Sequence, residues 1–299
     1  MTRTLITGIA GFTGRYMAAE LARRGHEIHG LVHAPPSGRV DGAAVLYQAD
    51  LADLVRLREI IEEVRPHKVV HLAAIAFVAH DDVEALYRSN IVGTRQLLEA
   101  LTRASERPSS VLLASSANIY GNSRAGVLDE TLPPSPAKDY GVSKVAVELL
   151  SRVYADRLPI IVARPFNYTG RDQDANFIIP KIVAHANERK PIIELGNIDV
   201  SRDFSDVRTV CDSYARLLDS PQATGGTFNI CSGKAVSLRQ IIDMVQELSG
   251  HQLEIRVNPA FVRANEVHTL FGSSERVESI IGPLKHITLA DTLKWMLEG

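Results

Sequence analysis

The stretch Thr7-Gly8-Ile9-Ala10-Gly11-Phe12-Thr13-Gly14 joins a short apolar strand pattern over residues 3–7 to a helix pattern over residues 14–24. Glycines at such a junction permit a tight turn, close approach of a pyrophosphate, and close packing of the helix on the strand. The N–H groups that begin the helix also favour a bound anion. The spacing is GxxGxxG rather than GxGxxG, but a strand before and a helix after it indicate a dinucleotide-binding turn. The predicted cofactor contacts are Gly8, Gly11, Phe12, Thr13 and Gly14.

Strand and helix patterns alternate through the first half of the chain. The predicted strands cover residues 3–7, 27–32, 46–49, 68–73 and 110–115, and the predicted helices cover residues 14–24, 52–64 and 83–104. Short strands that alternate with helices are typical of βαβ units in a parallel sheet. The predicted fold class is therefore α/β, with a Rossmann-type doubly wound parallel sheet.

The regular alternation weakens after Pro165, where glycines and prolines lengthen the loops. We predict that residues 1–165 form a dinucleotide-binding Rossmann domain to which residues 205–231 return. Residues 166–204 and 232–299 are predicted to form a smaller, interleaved C-terminal lobe that binds substrate.

The composition is that of a globular protein, with 299 residues, 45% of them hydrophobic and 23% charged, and a formal net charge of −2. This charge gives no electrostatic reason to expect binding to nucleic acid or to an anionic membrane. No apolar run reaches the roughly 18 residues that span a bilayer, and no secretory leader is apparent, so a cytoplasmic protein is expected. Cys211 and Cys231 are too few for a disulfide framework, and no metal is predicted.

The end of the second predicted strand bears on the choice of cofactor. It reads Leu31-Val32-His33-Ala34-Pro35-Pro36, without the Asp or Glu that holds the ribose 2′-hydroxyl in NAD-binding Rossmann units. His33, or Arg39 beyond the prolines, could face a 2′-phosphate instead, although His33 could equally be a polar strand end. NADP(H) is therefore favoured and NAD(H) is possible. Asp50 and Leu51 are placed to meet the adenine, or Asp50 could cap the next helix.

Tyr140-Gly141-Val142-Ser143-Lys144 sets a phenol and an ammonium one helical turn apart. Residues i and i+4 share a helix face, so the lysine charge is expected near the tyrosine hydroxyl. A nearby cation favours the phenolate, and we expect it to lower the tyrosine pKa from its usual value of about 10. Such a tyrosine can exchange a proton with a carbonyl or alcohol oxygen, although surface helices also produce this pair by chance.

Together with the glycine turn, His71-Leu72-Ala73-Ala74 at the fourth strand, Ser115-Ser116 after the fifth and Tyr140-x-x-x-Lys144 resemble the extended short-chain dehydrogenase/reductase family. The resemblance covers essentially the whole chain and is to the members that modify sugar nucleotides. It implies that Ser116 hydrogen-bonds the reacting oxygen, that Tyr140 is its general acid or base, and that Lys144 tunes Tyr140 and binds the nicotinamide ribose.

The same resemblance assigns further residues. It implies that Leu72, Ala73 and Ala74 contact the cofactor, along with Tyr140 and Lys144. Asn90 matches a family asparagine on the long helix predicted over residues 83–104, and we interpret it as structural or water-holding.

Within the predicted second lobe, the resemblance points to a nucleotide sugar. Asn167 matches a residue that contacts the substrate diphosphate, and Arg202 matches a diphosphate-binding arginine of enzymes that act on GDP-mannose-derived sugars. Arg263 and Glu266 resemble an arginine and acid pair that binds the second phosphate and the nucleoside ribose. The chemistry fits, since arginine offers a planar fork to phosphate and a carboxylate accepts ribose hydroxyls. Surface salt bridges are the alternative for both arginines.

Three reactions share this resemblance. A 4,6-dehydratase needs an added acid beside the catalytic serine, and Ala117 and Asn118 supply none, which disfavours dehydration. We expect reduction of the C4 keto group of a GDP-linked 4-keto-6-deoxy sugar, giving GDP-D-rhamnose. A 4-epimerase with tightly bound NAD is the alternative. A non-catalytic NADP-sensing interaction protein is a third possibility, disfavoured because the Ser116, Tyr140 and Lys144 set is complete.

The family commonly forms homodimers, and one is expected here. The interface would involve the helix over residues 83–104 and the helix that carries Tyr140 and Lys144. Leu149, Leu150 and Val153 could serve it, or could belong to the intramolecular core.

Overall fold

The computed structural model describes residues 1–36, 38–76, 82–122, 126–261 and 268–299. The strands are β1 (Thr2–Thr7), β2 (His26–Val32), β3 (Ala43–Gln48), β4 (Lys68–His71), β5 (Ser110–Ala114), β6 (Gly126–Leu128), β7 (Ile160–Pro165), β8 (Asn167–Thr169), β9 (Ile192–Leu195), β10 (Ser201–Asp206), β11 (Thr227–Ile230), β12 (Ala235–Ser237), β13 (Glu254–Val257) and β14 (Thr269–Gly272). The α-helices are α1 (Phe12–Arg23), α2 (Leu54–Val64), α3 (Val83–Tyr87), α4 (Thr94–Thr102), α5 (Asp139–Tyr154), α6 (Ile178–Asn187), α7 (Val207–Asp219), α8 (Leu238–Ser249), α9 (Glu275–Ile281) and α10 (Leu289–Leu297).

Seven strands form one parallel sheet in the order β3-β2-β1-β4-β5-β7-β11. Each neighbouring pair in this sheet is parallel. The chain builds outward from β1 to β3 on one side and from β4 onward on the other, so the order reverses between β1 and β4. The sheet is therefore doubly wound and Rossmann-type, which confirms the predicted fold class. Ligands bind such sheets beyond the carboxyl ends of the strands, beside the reversal.

Successive residues of the central strands face opposite sides of the sheet. Leu5 and Val69 pack in a core that includes side chains of α2, α4 and α5, whereas Ile6 and Val70 pack in a core that includes side chains of α1 and α7. All four side chains are fully buried. Because both faces are covered, apolar residues stand next to each other in these strands, as in Leu5-Ile6 and Val69-Val70, instead of alternating with polar ones.

The remaining strands belong to smaller sheets. One has the order β12-β10-β14-β6, with β8 paired to β10, and the other pairs β13 with β9. Helices α6, α8 and α10 share an apolar core with them that includes Ile182, Ile242 and Leu293. The large and small sheets adjoin in sequence at Phe166, because β7 ends at Pro165 and β8 begins at Asn167.

The helix predicted as continuous over residues 83–104 is interrupted. A π-helical segment, Arg88–Gly93, joins α3 to α4 and contains Asn90. The apolar pattern that predicted this helix does not distinguish a local i→i+5 turn from an α-helical one, so the continuous helix was a wrong prediction. Short π segments of this kind are frequent at functional sites.

Candidate active site

A cavity of about 470 Å³ lies at the carboxyl edge of the large sheet, between the glycine turn, the start of α5 and the segment that leads into α6. The predicted site residues on its wall are Gly8, Gly11, Phe12, Thr13, Gly14, Leu72, Ala74, Ser116, Tyr140, Lys144 and Asn167. Other lining residues include Asn118, Tyr168, Gln173, Phe177 and Phe204. The fold thus brings the glycine turn, the Ser/Tyr/Lys set and Asn167 to one cleft.

The glycine turn forms a cradle without side chains. Gly8 has a φ of +71°, and a Cβ built on it would lie 2.7 Å from the Ala73 nitrogen. A Cβ on Gly14 would lie 2.2 Å from the Gly8 carbonyl oxygen. Helix α1 begins at Phe12 with Gly11 as its N-cap and no side-chain cap, so its first N–H groups remain for an anion. This cradle fits the diphosphate of a dinucleotide.

Tyr140 and Lys144 lie in the first turns of α5 and face the cleft. The Lys144 Nζ donates to the Ala114 carbonyl at 2.7 Å and lies 5.7 Å from the centroid of the Tyr140 ring. The Tyr140 hydroxyl shares a hydrogen bond with Ser116, which follows β5. Sequence reasoning thus correctly predicted that these three side chains converge.

Burial shifts the pKa values of both Tyr140 and Lys144 toward their uncharged forms. Burial lowers the pKa of Lys144 to about 8. Burial also raises the pKa of Tyr140 well above its usual value, with a smaller contribution from Tyr168, whereas the hydrogen bond with Ser116 acts in the opposite direction. The prediction of a lowered Tyr140 pKa was wrong, because burial disfavours the phenolate more than the hydrogen bond with Ser116 favours it.

Asn118 holds the Ser116 hydroxyl in place, a role that sequence reasoning missed. The Ser116 Oγ accepts hydrogen bonds from the Asn118 backbone N–H at 3.1 Å and from its Nδ2 at 3.0 Å. With these two bonds accepted, the serine O–H is available to donate toward Tyr140. The Ser-x-Asn spacing, with Ser116 as the N-cap of a short 3₁₀ turn, is the signal that could have revealed it.

A buried chain of polar groups starts at the glycine turn. The His71 Nδ1 lies 2.7 Å from the Thr7 hydroxyl, and its Nε2 lies 2.8 Å from the Thr94 hydroxyl. Thr94 donates to the Asn90 carbonyl and so accepts from the His71 Nε2–H. Burial, with a smaller contribution from the Lys144 charge, lowers the pKa of His71 to about 3.

The chain of polar groups continues through the π segment to Tyr140. The Asn90 side chain accepts from the Ile75 N–H at 2.8 Å and donates to the Ile75 carbonyl at 3.1 Å. It also donates to the Ser143 hydroxyl at 3.0 Å, and Ser143 donates to the Tyr140 carbonyl at 2.8 Å. Asn90 therefore connects the segment after β4 to the first turn of α5, which is a structural role.

A second buried network contacts the middle of α5, at Glu148. Glu148 and Arg164 form a two-pronged ion pair with N–O distances of 2.9 and 2.7 Å, and both side chains are about 5% exposed. Ser115, which precedes Ser116, donates to Glu148 at 2.6 Å. Sequence reasoning missed Glu148, although residues 140, 144 and 148 fall on one helix face at a spacing of four.

Arg164 also extends this network toward the edge of the large sheet. It donates to the Tyr120 hydroxyl at 2.8 Å, and Tyr120 donates to the Asn229 side chain at 2.8 Å. Asn229 lies on β11, so the network spans β5, α5, β7 and β11. These contacts hold β7, the strand that leads through Phe166 to Asn167, against α5.

Asn167 is held at the boundary between the two sheets. Its Nδ2 donates to the Asp203 carbonyl at 3.1 Å. The buried Asp203 carboxylate accepts from the N–H and hydroxyl of Ser232 at 2.8 and 2.7 Å and from the Gly233 N–H at 3.0 Å. Burial raises the pKa of Asp203. Sequence reasoning gave this aspartate no role, because β10 reads Ser-Arg-Asp-Phe-Ser-Asp and this polar pattern does not reveal which aspartate is buried.

Tyr168 joins the glycine turn to the segment after β7. Its hydroxyl lies 2.8 Å from the Thr13 hydroxyl, and its ring is stacked on Phe12 with centroids 6.1 Å apart. Neither contact was predicted, because 155 positions separate Tyr168 from Thr13.

The other predicted site residues lie away from the lining of this cavity. Arg202 lies on β10 and donates to the carbonyls of Ser201 and His268. His33 and Arg39 are exposed after β2. Arg263 and Glu266 lie outside the described residues.

The predicted adenine contacts differ in exposure. The exposed Asp50 accepts from the Ala52 N–H at 2.8 Å, while Asp53 caps α2, so the alternative role of Asp50 as helix cap is wrong. Leu51 is buried in the apolar core, and Ala73 is partly buried against Gly8.

The part of the chain that the structure describes contains neither a metal-binding cluster nor a membrane-spanning helix. No group of three or more His, Cys, Asp or Glu side chains there is arranged to hold a metal ion. No helix there combines the length and apolarity needed to cross a membrane.

Residues 5–296 match the family model described as GDP-mannose 4,6 dehydratase. The chain is 34% identical over 280 residues to GDP-6-deoxy-D-talose 4-dehydrogenase of Aggregatibacter actinomycetemcomitans, covering 94% of this chain and 91% of that protein. It is 32% identical over 306 residues to GDP-6-deoxy-D-mannose reductase of Pseudomonas aeruginosa, covering 99% and 96%.

Solved structures show the same similarity. A Burkholderia cenocepacia J2315 protein provisionally described as an epimerase superposes with a TM-score of 0.94 at 47% identity, covering 99% of this chain and 97% of that one. RMD from Pseudomonas aeruginosa, complexed with NADPH, superposes with a TM-score of 0.85 at 30% identity, covering 100% and 97%.

Proposed function

The chain belongs to the GDP-mannose 4,6-dehydratase family of extended short-chain dehydrogenases/reductases, and we propose that it is an NADP(H)-dependent reductase of the C4 keto group of a GDP-linked 4-keto-6-deoxy sugar. One observation carries the proposal. Ser116, Tyr140 and Lys144 converge beside the glycine cradle, while Asn118, at the position where a dehydratase needs an acid, is bound to Ser116. The site therefore has the groups for proton transfer, and Ala117 and Asn118 beside Ser116 supply no acid for dehydration.

The protonation states suit reduction. A Tyr140 whose pKa is raised remains a phenol at neutral pH and can donate its proton to the oxygen that develops negative charge at C4. Ser116, oriented by Asn118, donates a hydrogen bond to the same oxygen. Lys144, with a pKa of about 8, is mostly an ammonium at neutral pH and can bind ribose hydroxyls.

A nicotinamide cofactor, when bound, supplies the hydride to C4. The cradle of Gly8, Gly11 and Gly14 would hold its diphosphate, and His33 and Arg39 favour NADP(H) over NAD(H). Support comes from the relative crystallised with NADPH at 30% identity. Leu72, Ala73 and Ala74 would border the cofactor, and Asp50 and Leu51 its adenine.

We infer that the sugar nucleotide occupies the end of the cleft near Asn167. Arg202, Arg263 and Glu266 are the proposed contacts for its diphosphate and nucleoside ribose, in a lobe comprising residues 166–204 and 232–299. The relatives named for GDP-6-deoxy sugars support GDP as the nucleotide. We propose GDP-D-rhamnose, which is GDP-6-deoxy-D-mannose, as the product; GDP-6-deoxy-D-talose is its C4 epimer.

A homodimer is proposed from an exposed apolar stripe on α5. Val142, Leu149 and Val153 lie on one face of this helix and are 41%, 52% and 65% exposed, whereas Leu150 packs inward. A second copy could cover this stripe, and sedimentation velocity of the wild type and of Leu149→Asp would test it.

The experiment for the reaction follows the near-ultraviolet absorbance of NADPH with GDP-4-keto-6-deoxymannose. We expect stoichiometric oxidation of NADPH, with Tyr140→Phe lowering kcat by about 10²- to 10⁴-fold. Tyr154→Phe, at the other end of α5, is the matched control, because its hydroxyl bonds Glu99 away from the cleft. The C4 configuration of the product, measured by NMR, distinguishes GDP-D-rhamnose from GDP-6-deoxy-D-talose.

The alternative is a 4-epimerase, which the 47% identity to a protein provisionally described as an epimerase favours. Interconversion of nucleotide-sugar 4-epimers by protein that retains NAD, without net oxidation of NADPH, would replace the reductase proposal with this one. NADPH binding without turnover of either substrate class would instead indicate the non-catalytic sensor.

A further inference from the structure

Helix α1 carries arginines near both ends, and their surroundings differ. Arg23, near its end, is paired with Glu20 at 2.8 Å. Arg15, in its first turns, has no carboxylate partner among the residues that the structure describes. Its Nε donates to the Ala10 carbonyl at 3.1 Å and its Nη1 donates to the Arg39 carbonyl at 3.1 Å. The guanidinium charge therefore lies unneutralised between the glycine turn and the segment that follows β2.

This junction corresponds to the adenosine end of a Rossmann site. The Gly8 N–H donates to the Leu31 carbonyl at 3.1 Å, so the glycine turn and the end of β2 lie side by side. In such sheets the adenosine ribose lies at the end of the second strand, where an acid binds its 2′-hydroxyl. No acid occurs between Val32 and Val40 in this chain, so this segment offers no carboxylate to a ribose 2′-hydroxyl.

We propose that Arg15 is the residue that selects the cofactor, because it binds the 2′-phosphate of NADP(H). Arginine has five N–H donors, and the two carbonyls use two of them, which leaves three for a phosphate. A planar guanidinium binds a phosphate dianion with two parallel hydrogen bonds. The exposed residues His33 and Arg39 follow β2 in the same segment. The inference rests on the proposed use of a nicotinamide cofactor and names the residue that makes it NADP(H).

The two carbonyl contacts hold the guanidinium in place before the cofactor arrives. They connect the glycine turn, through Ala10, to the segment after β2, through Arg39. A fixed guanidinium loses less conformational entropy on binding than a mobile one. Sequence reasoning considered only the cations after β2 and missed Arg15, which follows the third glycine of the turn.

A purely structural role for Arg15 makes a different prediction. If Arg15 only fastens the segment after β2 to the glycine turn, its loss would weaken every adenine nucleotide alike. If it binds the 2′-phosphate, its loss would weaken only nucleotides that carry this phosphate. The test therefore compares two ligands that differ by that group and need no sugar substrate.

The experiment is isothermal titration of the full-length protein with 2′,5′-ADP and with 5′-AMP. We expect Arg15→Ala to weaken 2′,5′-ADP on the order of 10- to 100-fold, as for loss of a charged hydrogen bond, and to change 5′-AMP less than threefold. Arg23→Ala is the control on the same helix and should change neither. Arg15→Gln provides a second variant if Arg15→Ala does not fold, which circular dichroism would reveal.

The affinities for 2′,5′-ADP and 5′-AMP decide whether Arg15 binds the 2′-phosphate. Equal weakening of both ligands would overturn the proposal in favour of a structural role. Equal affinity of the wild-type protein for the two ligands would also overturn it, and an NADH-dependent reductase would remain possible. A selective loss for 2′,5′-ADP supports the proposal even if the keto sugar is not turned over, so its failure and that of the proposed reaction are distinguishable.

Discussion

The two walls of the cleft are built by different means. The wall at the glycine turn consists of backbone, and its critical contacts join Gly8 to Gly14, six residues away, and to Ala73, two residues after the neighbouring strand β4. The wall at α5 consists of side chains, and its supports come from distant segments, such as Tyr120 and Asn229, 109 positions apart. A backbone wall depends on local sequence, whereas a side-chain wall depends on buried partners that only folding assembles.

The largest effect on the side-chain wall is expected from replacing Arg164, the buried cation that pairs with Glu148. Arg164→Met leaves the Glu148 carboxylate buried and unpaired, and we expect a loss of about 3–5 kcal/mol in the free energy of unfolding. Urea denaturation measures it. The matched control is Arg256→Met, because Arg256 and Glu254 form an exposed pair, 55% and 61% accessible, that should contribute about 0–1 kcal/mol. A loss in Arg164→Met no larger than that of the control would show that the network does not stabilise this wall.

The backbone wall is tested by adding one methyl group. In Gly14→Ala the Cβ would meet the Gly8 carbonyl oxygen, and displacing the turn by about an ångström is expected to lower kcat/KM for NADPH on the order of 100-fold. Fluorescence titration with NADPH and steady-state kinetics measure the effect. Gly38→Ala, whose Cβ would meet open space, is the control. NADPH affinity close to that of the wild type in Gly14→Ala would contradict the cradle.

His71 connects the two walls, and its burial predicts a pH dependence. Its pKa is 6.5 when exposed and about 3 in the folded protein. Between these values the unfolded chain binds a proton that the folded protein does not, so stability falls as the pH falls below 6.5. This side chain should contribute a slope of up to about 1.4 kcal/mol per pH unit.

Urea denaturation between pH 7 and pH 4.5 measures that slope, which His71→Asn should reduce. His286→Asn, at an exposed histidine, should leave the slope unchanged. The same slope in His71→Asn as in the wild type would mean that other buried groups cause the acid sensitivity.

The smallest expected effect concerns the orientation of Ser116. Asn118→Ala removes one of the two hydrogen bonds to the Ser116 Oγ and retains the backbone one. A loss of about 1 kcal/mol corresponds to roughly a fivefold decrease in kcat. Steady-state kinetics should show this decrease with an unchanged KM for NADPH, whereas an increased KM alone would show that Asn118 shapes the cofactor site instead.

Much of this molecule was predictable because the relevant signals are local. The glycine turn and the alternation of strands and helices each lie within a short window, and they correctly predicted the doubly wound sheet. The meeting of Ser116 with Tyr140 and Lys144 was implied by the family resemblance that these short motifs carry. The continuous helix over residues 83–104 was wrong because the apolar pattern does not encode a π turn.

The sequence by itself determined which reactive side chains are present and at which edge of the sheet they meet. Their meeting at the carboxyl edge follows from the order of strands and helices and from the helical spacing of Tyr140 and Lys144. Only the tertiary structure decided how those groups are tuned. The pKa of Tyr140 rises because packing removes water from its hydroxyl, and no spacing reveals that loss. The Glu148–Arg164 pair, the Asn118–Ser116 contact and the position of Arg15 between two backbone carbonyls depend likewise on which groups are brought together across the fold.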